Sequence, residues 1–154
     1  MLTFVMLIGP SGCGKTTYAH KLATEERELG NPTVVLSSDD IREEIYGDAN
    51  VQTNPGRVFK IMNDRTFENL AVGHNVIYDA TNLSRARRVE LIHQILGKHP
   101  QCYCEAIAFT TTVEECIRRQ SLRKRQVPDD VVKRHHRQME IPLYEEGWDS
   151  IQFE

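Results

Sequence analysis

The sequence predicts an α/β fold, a parallel β-sheet flanked by helices on both faces. Two observations lead there. Short β-rich runs alternate with longer helical stretches along the chain, the pattern of parallel sheets with crossover helices. No repeat and no Pro/Gly/Ser-rich linker divides the 154 residues, so one domain spanning 1–154 is expected, long enough to bury a core.

The elements follow in order. Residues 3–8 (TFVMLI) form a buried strand, followed by glycine-rich punctuation. Residues 15–29 form a helix ended near Gly30-Asn31-Pro32. Residues 33–37 are a second strand, and 39–46 a short helix opened by Ser38 or Asp39 as N-cap. A loop at 47–56 precedes a helix over 57–72. Residues 75–79 (NVIYD) are a third strand and 84–97 a helix capped by Asn82 or Ser84. Residues 102–109 are a fourth strand, 112–124 and 128–139 are helices, and 148–153 is a short edge strand.

Composition excludes several classes. Acidic residues number 22 and basic ones 19, a formal charge of −3, which excludes a uniformly basic nucleic-acid-coating protein. No apolar run approaches the roughly 18 residues of a membrane span, and the apolar start lacks the basic segment of a signal peptide. Cys13, Cys102, Cys104 and Cys116 are too few for a disulfide framework, so free thiols and a cytoplasmic location are expected.

Residues 9–16 read GPSGCGKT and fit G-x-x-x-x-G-K-[ST] at every fixed position, between a strand and a helix as the motif requires. Gly9, Gly12 and Gly14 let successive backbone N–H groups of the loop, which includes Ser11, turn inward on a phosphate. The helix starting at Lys15, Thr16 and Thr17 adds its positive end. Lys15 supplies a cation for the β- and γ-phosphates, and the Thr16 hydroxyl a ligand for Mg²⁺. Lys15 is expected in an exposed loop, and Cys13 as a small residue filling its slot. These features define a P-loop NTPase and imply nucleotide binding.

Other charged groups fall where the same cleft should be. Ligands of open parallel sheets sit at the carboxyl ends of the strands. Ser38-Asp39-Asp40-Ile41-Arg42 follows the second strand and Asp79 ends the third. An Asp there can take the proton of an attacking hydroxyl, and Arg42, one helical turn from Asp39, can grip an anion on the acceptor. Asp39 is preferred as the base and Asp40 assigned a helix-end contact. Residues 118–137 carry eight basic side chains against Asp129 and Asp130. Arg119 and Arg123, four apart, are expected on one helix face as a phosphate clamp, whereas Lys124, Arg125 and Lys133 are assigned to a solvated face. His135 and His136 are assigned to the surface, on different faces of their helix. The 137–150 region, with Tyr144 and Trp148, offers a wall for adenine, although Trp148 is expected to pack in the core.

Taken together and in order, GPSGCGKTT, SSDDIR, DATNLSRARR, RRQSLR and VPDDVV resemble the 5′-hydroxyl polynucleotide kinases of phage and bacterial end repair, over about residues 3–145. The resemblance implies an adenylate-kinase-like fold with a helical, arginine-bearing lid, and transfer of the γ-phosphate of ATP or another NTP, with Mg²⁺, to 5′-OH ends of RNA or DNA. It implies Lys15 and Thr16 on the donor phosphates and metal, Asp39 as general base, and Arg42 on the acceptor's 3′-side phosphate. It further implies Asp79 near the acceptor, and Arg119 and Arg123 as lid clamps. Members of that family join this domain to a phosphatase or ligase, so a stand-alone kinase and a module of a larger system both stay open. Two other readings compete: a phosphotransferase acting on a small-molecule hydroxyl, and a nucleotide-gated binding module without turnover.

Overall fold

The computed structural model describes residues 1–154. Five strands form one sheet: β1 (Thr3–Ile8), β2 (Thr33–Ser37), β3 (Asn75–Asp79), β4 (Tyr103–Ala108) and β5 (Ser150–Phe153), in the order β2-β3-β1-β4-β5 with every pair parallel. The helices are α1 (Lys15–Glu28), α2 (Ser38–Tyr46), α3 (Pro55–Ala71), α4 (Arg85–Lys98), α5 (Val113–Ser121) and α6 (Asp129–Gln138). The predicted parallel sheet flanked by helices is the observed one, including the edge strand at the end of the chain.

Alternation along β1 explains the layers, because successive side chains of a strand point to opposite faces. Phe4, Met6 and Ile8 pack with Ile41 of α2, Val58 and Met62 of α3, and Leu91 and Ile92 of α4. Val5 and Leu7 pack with Ala19 and Ala23 of α1, Cys116 of α5 and Val132 of α6. Both faces of the sheet are thus covered, and the central strands are apolar throughout.

Several boundaries differ from expectation for local reasons. Ser37, not Ser38 or Asp39, caps α2: its Oγ accepts from the Asp40 N–H at 3.4 Å. Helix α3 starts earlier than predicted because Asn54 caps it and Pro55 occupies the first turn. Ser84 caps α4, while Asn82 adopts φ 51° and its amide donates to the Leu7 carbonyl at 2.7 Å. Helix α5 ends at Ser121, so Arg123 lies beyond the helix in the turn leading to α6.

One structural device was not foreseen. Arg88 and Glu146, whose side chains are 1% and 2% exposed, form a buried ion pair at 2.8 Å. Arg88 also donates to the carbonyls of Asn82, Leu83 and Glu140, and Glu146 accepts from the Trp148 indole at 3.1 Å. This network fastens the 140–148 segment to the loop after β3, and that loop reaches the phosphate loop through the Gly9 N–H to Thr81 carbonyl bond at 3.0 Å.

Candidate active site

The carboxyl ends of β1, β2 and β3 open onto a cleft of about 900 Å³ whose lining residues include few hydrophobic ones. The parallel register puts Ser37 beside Asp79 and Asp79 beside Leu7, so the loops after these strands converge on one place, where open α/β sheets bind ligands.

The phosphate loop is shaped by its neighbours. Gly12 has φ 83°, and a Cβ there would lie 2.6 Å from the Cys116 carbonyl oxygen. Gly14 has φ 98°, and a Cβ there would meet the Arg119 guanidinium at 3.1 Å. Gly14 is the N-cap of α1, and no capping side chain and no acidic residue occupies the first turn, which leaves the helix's positive end to an anion. Lys15 is buried rather than exposed: its Nζ donates to the carbonyls of Gly9 and Pro10 at 2.9 and 2.8 Å, because the chain of α1's first residue folds back under the loop. Cys13 fills its slot as expected. It is buried, burial pushes its thiol pKa up against the pull of Lys15, and its carbonyl accepts from Thr111 and Arg119, each at 3.1 Å.

Thr16 and Asp79 meet across the cleft floor, the Thr16 hydroxyl donating to Asp79 Oδ2 at 2.8 Å. Burial raises the Asp79 pKa, and Lys15 and the Thr16 hydroxyl oppose the rise. Asp79, expected among the acceptor-side residues, is therefore held against the donor-side threonine, since β3 lies beside β1 and ends level with it. A hydroxyl and a carboxylate side by side are hard oxygen donors of the kind Mg²⁺ takes from proteins, completing its shell with phosphates and water.

Asp39 stands on the other side. Its Oδ1 accepts from Arg42 Nη1 and its Oδ2 from Arg125 Nη1, each at 3.2 Å. Arg42 is buried, and Asp39, Arg42 and Arg125 all line the cleft. Asp40 is exposed and does not. Arg125 corrects the solvated-face assignment. The turn after α5 carries it inward, where its Nη2 also reaches the Ala49 carbonyl at 3.3 Å.

The lid consists of α5, the turn and α6. Arg119 Nη1 reaches the phosphate loop at the Cys13 carbonyl, and its Nε donates to Glu115 at 3.0 Å. Glu115, bonded to Arg118 and Arg119, has its pKa held down at about 2. Arg123 lines the cleft from the turn, exposed, so it joins Arg119 through the turn's path and not through a shared helix face. His135 also turns inward, against the surface assignment. Its Nδ1 accepts from the Ser11 N–H at 3.3 Å, and burial, with Lys15 and Arg134 adding repulsion, lowers its pKa to about 4. His136 is half-buried, bonded to the Val132 carbonyl at 3.0 Å and near the Thr111 carbonyl at 3.2 Å. The 137–150 segment forms no wall of the cleft: Trp148 is in the core, as expected, and Tyr144 is exposed outside it.

Of the residues expected on the nucleotide, Ser11, Gly12, Gly14, Lys15, Thr16, Thr17, Arg119 and Arg123 line the cleft, while Gly9 and Cys13 lie behind it. Arg125, Arg134 and His135 were missed. Their only signal was the basic cluster at 118–137, which carries no information about direction.

A parallel sheet flanked by helices, with this loop between its first strand and first helix, is a P-loop NTPase fold of the kinase-like kind. The chain belongs to the AAA domain family, whose model matches residues 4–142. A protein of Pyrococcus abyssi (strain GE5 / Orsay) described as a probable adenylyl-sulfate kinase is 50% identical over 42 residues, 27% of this chain and 24% of that protein. Among solved structures, a chain of the Pnkp1/Rnl/Hen1 RNA repair complex superposes with a TM-score of 0.71 at 23% identity, over 90% of this chain and 44% of that one. A gluconokinase from Sinorhizobium meliloti 1021 superposes with a TM-score of 0.63 at 17% identity, over 98% of this chain and 81% of that one. Both are likenesses of fold. The chain thus spans about a quarter of the curated relative and less than half of the RNA repair chain. No helix is long and apolar enough to cross a membrane.

Proposed function

We propose that this protein is an ATP-dependent 5′-OH polynucleotide kinase. The observation that carries the reading is the Asp39 carboxylate, flanked by Arg42 and Arg125 and facing the same cleft as Lys15, Thr16 and Asp79. A cation beyond the base is what an acceptor with a phosphate next to its reacting hydroxyl requires; a bare alcohol has no use for one. The five arginines of the cleft, Arg42, Arg119, Arg123, Arg125 and Arg134, form a local basic funnel in a chain of net charge −3, sufficient for a single-strand end.

The chemistry follows from the residues. The N–H groups of the 9–14 loop, the start of α1 and Lys15 hold the donor phosphates. Thr16 and Asp79 would hold Mg²⁺, which supplies charge neutralisation on the transferring phosphoryl group. Arg119 and Arg123 offset the charge that develops on the equatorial and leaving oxygens. Asp39 accepts the proton of the 5′-hydroxyl as its oxygen bonds to the γ-phosphorus. The bond from that phosphorus to the β,γ-bridging oxygen breaks, and ADP leaves.

The 50% identity to a probable adenylyl-sulfate kinase over 42 residues favours a second reading, a phosphotransferase for a small-molecule hydroxyl. Transfer of label from γ-labelled ATP to a 5′-OH oligonucleotide, compared with adenylyl sulfate, gluconate and simple alcohols, tests the two. Preferential labelling of the oligonucleotide is expected. Preferential labelling of a small acceptor replaces the first reading with the second.

A further inference from the structure

Arg125 has an environment that the lid's other basic side chains lack. Arg123 and Lys124 are exposed, whereas the Arg125 side chain is 22% exposed and bonded at two points, Asp39 Oδ2 and the Ala49 carbonyl. Its Nε–H is buried without a partner, and so is the Nε–H of Arg42 on the opposite side of Asp39. Both side chains line the cleft. A buried donor left unpaired is costly and uncommon in native folds, and here two of them flank a single carboxylate. Two guanidiniums against one carboxylate also leave one positive charge without a counterion. An anion with several acceptor oxygens supplies that counterion and acceptors for the two guanidiniums, and a phosphate is such a group.

We propose that Arg125 is a second ligand for the acceptor's phosphate, paired with Arg42 across Asp39, and that the incoming phosphate draws Arg125 off Asp39 Oδ2. This deepens the polynucleotide-kinase reading and rests on it. With Arg42 on Oδ1 and Arg125 on Oδ2, the base has both oxygens engaged. The phosphate oxygens take over the Arg125 donors, and Oδ2 is then free to accept the proton of the 5′-hydroxyl. The lid thereby serves both substrates: Arg119 faces the phosphate loop and Arg125 faces the acceptor. An acceptor without the phosphate leaves Asp39 doubly paired, so the phosphate raises kcat as well as lowering KM.

The test is steady-state transfer to a nucleoside 3′-monophosphate and to the unphosphorylated nucleoside, by the wild-type protein, Arg125→Gln and Arg125→Lys, with the KM for ATP and the Tm of each. The wild type is expected to favour the monophosphate. Arg125→Gln should lower kcat/KM for the monophosphate by about tenfold or more, the range for one lost charge-assisted hydrogen bond. It should raise the nucleoside rate, because Asp39 Oδ2 is then unpaired, and leave the KM for ATP unchanged; a nucleoside rate that does not rise overturns the release of Oδ2. Arg125→Lys should fall between the two. Equal losses on both acceptors, or a rise confined to the KM for ATP, would overturn the assignment. A wild-type preference that survives intact in Arg125→Gln overturns the role of Arg125 alone. A wild type with no preference overturns the acceptor reading and this role with it.

Discussion

Replacing Gly12 with alanine tests the packing of the phosphate loop against the lid. Two costs add. At φ 83° an L-residue pays the left-handed penalty of roughly 1–2 kcal/mol. The new Cβ would also lie 2.6 Å from the Cys116 carbonyl oxygen and 3.0 Å from Gln120 Cγ. The first of these is backbone, so the loop or α5 must move, at the roughly 1–3 kcal/mol typical of overpacking. The expected total is about 2–5 kcal/mol, a large part of the roughly 5–15 kcal/mol that holds a domain folded. Gly73→Ala is the control, because φ there is 85° and nothing lies within 4 Å of the added carbon. It should cost only the left-handed term. Urea denaturation of both variants reads the difference. Gly12→Ala no more destabilising than Gly73→Ala would refute the close approach of loop and α5.

Three further outcomes are expected. Arg123→Lys should lose on the order of 10²-fold in turnover, nearly as much as Arg123→Ala, because an ammonium does not reproduce the planar fork on a phosphate; near wild-type rates in single-turnover assays would return Arg123 to a solvated role. Glu146→Gln should cost about 3–5 kcal/mol by leaving the Arg88 charge buried and uncompensated, and a melting temperature within about 2 °C of wild type would contradict it. Burial pushes the Glu146 pKa up, but the Arg88, Leu143 and Trp148 hydrogen bonds outweigh it and the net shift is down; its contribution is therefore present above the ordinary carboxylate pKa and is lost as pH falls through the lowered value, so acid titration of stability should be shallower in Glu146→Gln than in wild type.

The sheet was legible because its signals are local and repeated. Thr3–Ile8, Thr33–Ser37 and Asn75–Asp79 are short β-rich runs ended by turn or cap residues, and the phosphate loop is recognisable from contiguous residues. The lid was less legible. Helical spacing linked Arg119 to Arg123, but α5 stops at Ser121, and no glycine or proline between Arg118 and Val127 marks that end; the first is Pro128, seven residues beyond it. Arg125 and His135 look like members of a solvated basic run. They turn inward because Asp39, Ala49 and Ser11 offer partners from 86, 76 and 124 residues away, which no local pattern encodes. The Arg88–Glu146 pair was invisible for the same reason: each partner alone reads as a surface charge, and only the fold brings them together 58 residues apart.

The central claim is that Asp39, and not its neighbour, activates the 5′-hydroxyl of a nucleic-acid end. The direct measurement is single-turnover transfer from ATP·Mg²⁺ to a 5′-OH oligonucleotide, with the phosphate located on the product, for wild type, Asp39→Asn and Asp40→Asn. The wild type should yield a 5′-phosphate. Asp39→Asn should bind ATP normally and transfer about 10²–10⁴-fold more slowly, the worth of a positioned base, and Asp40→Asn should stay within about tenfold of wild type. A wild type that leaves the 5′ end unphosphorylated, or an Asp39→Asn that transfers at the wild-type rate, would contradict the account.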